Sequence, residues 1–118
     1  MSGGARTQAS VAHFLLRLRP PRESFPQDAS AAEMEAMGAH GAYWQGLADD
    51  GPALAVGPVA DPAGIWGMAL VEVDDAGHAK ALADADPIIT AGLGFAYEVM
   101  PVPSLILRRG AAPAHGER

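Results

Sequence analysis

The first stretch with a clear hydrophobic pattern runs from Val11 to Arg19. Ala12, Phe14, Leu16 and Leu18 form one alternate set, wholly apolar. Val11, His13, Leu15, Arg17 and Arg19 form the other. Alternation at every second residue marks a half-buried strand. Pro20-Pro21 ends it, because neither residue has an N–H to give to a ladder, and residues 22–27 read as a loop.

The next pattern has helical spacing. Ser30-Ala31-Ala32-Glu33 fits a capping box, in which Ser30 and Glu33 satisfy each other's backbone N–H. Met34, Met37, Gly41, Trp44 and Leu47 follow at helical intervals as far as Asp49, and Asp50-Gly51-Pro52 closes the element. Gly38 and Gly41 cost roughly 1 kcal/mol each relative to alanine in a helix interior. Close packing beside Trp44 is one reason to keep them.

Leu54–Val56 and Ile65–Val73 read as strands joined through the turn-rich segment 57–64, which makes a hairpin. Asp75 marks the start of a second helix through Ala79, Leu82 and Ala83, limited by Pro87. Gly92-Leu93-Gly94 turns the chain into a last strand, Phe95 to Val102, with Ser104–Leu107 as a continuation. The order βαββαβ predicts an α+β ferredoxin-like plait: a four-stranded antiparallel sheet with two helices on one face. An apolar open face costs roughly 25 cal/mol per Å², so a second copy of the chain is expected to cover it. Residues 1–10 and 109–118 lack any apolar pattern and read as a flexible leader and tail around a domain at 11–108.

The chain has 118 residues, enough for one domain, and 49% of them are hydrophobic. A net charge of −6 without a basic stripe argues against nucleic acid, since Arg17, Arg19 and Arg22 are few and local. The absence of cysteine excludes disulfides and thiol chemistry. No apolar run approaches the roughly 20 residues of a spanning helix, and no apolar segment precedes the first strand, so the reading is a cytoplasmic protein. The histidines at 13, 40, 78 and 115 lack metal-ligand spacing. Gly92-Leu93-Gly94 lacks the third glycine of a phosphate loop.

His40-Gly41-Ala42-Tyr43-Trp44, then Gly57-Pro58-Val59, then Asp86-Pro87 with Gly92 beyond, together resemble the YciI-like (YCII-related) family. Pro20-Pro21-Arg22 with Phe25, and Gly94-Phe95-Ala96-Tyr97-Glu98-Val99, resemble one branch of it. The likeness extends from about Phe14 to Pro103 and rests on the order and spacing of its pieces. It implies a ferredoxin-like fold whose sheets meet in a dimeric α/β barrel. It also implies a cleft where a helix histidine and the aspartate of the Asp-Pro motif form a catalytic pair, here His40 and Asp86. A few relatives act on chlorinated or hydroxylated aromatic rings.

His40 shares a helix face with Met37 and Trp44, and imidazole exchanges protons near neutral pH. Asp86 is expected at the end of the second helix, where the macrodipole disfavours an anion and a histidine N–H would compensate it. Arg22 is a candidate contact for an anionic substrate, and Trp44, with Tyr43, a candidate wall for an aromatic one. A simpler alternative keeps His40 as a core histidine and Asp86 as a turn residue. Two functions follow: a cofactor-independent acid–base enzyme on a small, cyclic or aromatic metabolite, or a non-catalytic ligand-binding or regulatory dimer. A haem or oxygen-using dimeric barrel is a third, weaker alternative.

Overall fold

Strand β1 (Ala12–Arg19) buries Phe14, Leu16 and Leu18 toward one side, as its alternation requires. It lies at the centre of a sheet ordered β2-β3-β1-β4, with β2 at Ala53–Val59, β3 at Trp66–Val73 and β4 at Ala96–Pro101. Every neighbouring pair is antiparallel. The computed structural model describes residues 11–108; the expected leader and tail lie outside the described residues.

Helix α1 spans Ala31–Asp50, one residue beyond the expected end. Its capping box is complete: the Glu33 N–H donates to Ser30 Oγ at 3.1 Å, and the Ser30 N–H to Glu33 Oε1 at 2.9 Å. The inward stripe carries Glu33, Met37, His40, Trp44 and Leu47, whereas Met34, expected on that face, is exposed. Gly38 and Gly41 do not serve close packing, since a Cβ on either would meet nothing within 4 Å. They leave open space.

Helix α2 (Ala76–Asp84) starts at Asp75, whose side chain accepts the His78 N–H at 2.9 Å. A further short helix, α3 (Pro87–Thr90), was not expected from sequence. Gly94 has φ +93°, a left-handed conformation that favours glycine, and Pro21 Cβ would lie 3.0 Å from any added Cβ. This turn delivers the chain into β4.

Both long helices cover the Phe14/Leu16/Leu18 face. There Trp44, Ala79 and Ala83 join Phe14, Leu16, Ala69, Val71 and Val73 in one core. Leu18, Phe25, Ile88 and Phe95 form a second cluster beside it. Gly67 faces Leu18 across the ladder, where a Cβ would come within 3.3 Å of the Leu18 Cβ.

β2 is longer than expected and carries a register shift between Ala53 and Ala55. A bulge of this kind reverses which alternate residues face the helices. Ala53 and Val56 both pair with residues of the helix-side core, Val71 and Ala69. The shift therefore places Val56 and Pro58 on the helix side.

Ser104–Leu107 does not continue β4. The β1 partner begins at Ala12, and the last ladder-like bond is Val102 N–H to His13 O at 2.9 Å. Beyond it, Pro103 has no donor, and Ile106 is left 96% exposed. No helix among the described residues is long and apolar enough to cross a membrane.

Candidate functional site

Asp86 lies at the join between α2 and α3. The expectation that it ends the second helix is corrected here: α2 stops at Asp84, and Asp86 is the N-cap of α3, its Oδ1 accepting the Ile88 N–H at 2.9 Å. Pro87 sits at the first helical position, where its missing donor costs nothing. The carboxylate therefore stands just past the C-terminal end of α2 and also at the N-terminal end of α3, where the Ile88 N–H compensates it.

Its other oxygen gathers three side chains. Oδ2 lies 2.8 Å from His40 Nδ1, accepts from Trp44 Nε1 at 2.8 Å and accepts from Tyr97 Oη at 2.6 Å. Asp86 has no solvent exposure, and the His40 side chain keeps 14%. Burial pushes the Asp86 carboxyl up, but the donors from His40, Tyr97, the Ile88 backbone and Trp44 outweigh it and hold the group below the usual carboxylate range. An ionised carboxylate can only accept, so His40 Nδ1 carries the proton of this bond. Nε2 is then the ring nitrogen left for a ligand.

The sheet and α1 line an open-mouthed cavity of about 320 Å³ beside this pair. His40 and Trp44 are in its wall with Leu18, Phe25, Met37 and Phe95, and Val56 and Pro58 close it from β2. Among the described residues, no Lys, Arg, Asp or Glu lines it. Such a space suits a small, largely apolar molecule with one polar point facing His40. Among the described residues, no three His, Asp or Glu side chains gather as a group able to hold a metal ion.

The structure thus brings together His40, Asp86 and Trp44 of the expected site residues. Arg22 is placed elsewhere. Its guanidinium binds Glu33 through two 2.7 Å bonds and Asp28 through Nε at 3.0 Å, and it is absent from the cavity wall. The anion-binding expectation is therefore not carried further, because four of its donor contacts already serve the loop and the cap of α1. His13 pairs with Glu72 at 3.1 Å on the far face of the sheet.

Tyr97 is the residue that sequence reasoning missed. It reads as one more apolar member of β4, and only its register opposite Leu18 shows that it faces the helices. Burial first, then the bond to the Asp86 anion, push its hydroxyl far above the ordinary tyrosine range. Tyr43 packs edge-on against Trp44 and donates its hydroxyl to Leu82 O at 2.6 Å.

An antiparallel sheet in this order, helices on one face and a carboxylate–imidazole pair beside an apolar cavity define a ferredoxin-like α+β domain with a built site. The family model of the YCII-related domain matches residues 14–103, and the chain belongs to that family. No curated protein matches it.

Proposed function

We propose that this chain is a cofactor-independent acid–base enzyme acting on a small, largely apolar metabolite, cyclic or aromatic in form. The observation that carries the reading is the 2.8 Å contact of His40 with a buried carboxylate at the wall of a 320 Å³ cavity. His40 Nε2 takes a proton from the ligand, and Asp86 orients the ring and stabilises the imidazolium that forms. The apolar wall keeps water from competing, which strengthens both interactions. Trp44 supports the ligand by its ring face while its N–H holds Asp86.

The working unit in this proposal is a cytoplasmic homodimer. The sheet face away from the helices carries Leu15, Met68, Leu70 and Met100, on paired strands, and no helix among the described residues covers it. Arg17 Nε on the same face is shielded from solvent with no hydrogen-bond partner among the described residues. A second copy packed there would cover the apolar residues of this face.

One observation favours a second reading, a non-catalytic ligand-binding dimer. Besides His40, the only titratable side chain in the wall among the described residues is Tyr97, whose hydroxyl is already committed to Asp86. The test starts with ligand-observed NMR against small cyclic and aromatic compounds, followed by hydrogen–deuterium exchange of the bound ones. On the enzymatic reading exchange is catalysed and His40→Ala slows it by about 10²–10⁴, with the fold retained. Ligands that bind in the cavity with no His40-dependent exchange would remove the enzymatic reading and leave the binding one.

A further inference from the structure

Three donors converge on Asp86 Oδ2, an oxygen with about two lone-pair sites. The shortest of the three contacts is the Tyr97 hydroxyl at 2.6 Å. Trp44 Nε1 also lies 3.0 Å from Tyr97 Oη, so its N–H is shared between the carboxylate and the phenol. With Oδ1 held by the Ile88 N–H, the whole carboxylate is engaged.

We infer that Tyr97 is a positioning residue of this site, its hydroxyl setting how tightly His40 holds a proton through the Asp86 oxygen they share. The use of that control rests on the acid–base reading; its measurement does not. The groups that face His40 are few. Asp86 comes from the α2–α3 join, Tyr97 from β4, and Trp44 and Tyr43 from α1 itself. The adjacent β2 and β3 contribute uncharged residues such as Val56 and Ala69. Among the described residues, Asp86 is the anion bonded to the ring.

A donor to a carboxylate draws on its negative charge and weakens what it offers to other donors. Removing the Tyr97 hydroxyl leaves more charge on Oδ2, which favours the imidazolium of His40. Strengthening the hydroxyl as a donor does the reverse. The phenol stays protonated while the histidine titrates, since burial and the Asp86 charge both oppose its ionisation.

The test is an NMR titration of the His40 ring in the intact protein, its signals identified by their loss in His40→Gln. Tyr97→Phe is expected to raise the His40 midpoint, with Nδ1 still protonated in the neutral ring. A 3-fluorotyrosine placed at position 97, a stronger donor, is expected to lower it. If Tyr97→Phe does not fold, the fluorinated protein decides alone. A midpoint unmoved by the substitutions, or moved in the same direction by both, overturns the inference. That result, with the Nδ1–H form intact, leaves the acid–base reading standing. Opposite shifts in a protein whose ligands exchange no protons would uphold the role of Tyr97 and remove the acid–base reading instead.

Discussion

The Arg22 guanidinium grips the Glu33 carboxylate with two 2.7 Å bonds while Glu33 also closes the capping box of α1. The same guanidinium reaches Asp28 through Nε and the Asp28 carbonyl through its second terminal nitrogen. One cation therefore ties the loop after β1 to the first turn of the helix that carries His40. Arg22→Met is expected to lower the melting temperature by leaving Glu33 buried without its partner. Ligand binding in the cavity is expected to persist wherever the variant is folded. Calorimetry and ligand titration of the same sample would check both.

The pH dependence of stability follows from that cluster and from Asp86. Hydrogen bonds from Arg22 hold Glu33 at about 2, against an ordinary value of 4.5, and lower Asp28 as well. The net of burial and its donors lowers Asp86. A depressed carboxyl contributes stability that is complete above its unfolded value and is lost as pH falls through the folded one. Stability is therefore expected to hold down to about pH 5 and to fall between about pH 4.5 and 2. Urea unfolding across that range measures it, and Arg22→Met should flatten the profile.

Asp86→Ala removes the acceptor of three side-chain donors and the N-cap of α3 together. Unsatisfied buried donors and a lost cap add to about 3–5 kcal/mol of destabilisation. His40→Ala, at a partly exposed ring, is expected to cost much less. Equal losses in the two variants, read by chemical denaturation, would contradict the asymmetry of burial between the partners.

Gly38→Ala is expected to stabilise the protein by about 0.5–1 kcal/mol, because the helix gains propensity and the new methyl meets open space. The same change at Gly41 gains similar stability. Gly41 also lines the cavity, so ligand affinity there should respond while Gly38→Ala leaves it unchanged. Denaturation and ligand titration on each variant separate the two effects.

Leu70→Asp places a charge at the middle of the uncovered sheet face, opposite Leu15. The expected outcome is a monomer by sedimentation, with the cavity on the other face intact. A wild-type protein that sediments as a monomer would remove the dimer from the proposal.

Elements with a short-range cause are legible in the residues. Phe14, Leu16 and Leu18 must face one way once β1 is extended, and Ser30 with Glu33 caps α1 from three residues apart. The Asp75 cap and the turn before β4 are of the same kind. The order of motifs along the chain singles out His40 and Asp86 as a candidate pair and the helical spacing puts Trp44 beside His40, and the structure brings the three side chains into contact.

Other features have causes that no local pattern carries. A bulge at Leu54 turns Val56 toward the cavity, and the end of β1 leaves Ser104–Leu107 without a strand to pair. The partners of Asp86 lie 42 and 46 residues away for Trp44 and His40, and Tyr97 joins them from β4. Arg22 and Tyr97 exchanged the parts their residue types suggest, the cation becoming a structural clamp and the ring a member of the site. The physical reason is that alternation and capping depend on neighbours along the chain. The use of a donor depends on which acceptor the packed core brings within about 3 Å of it.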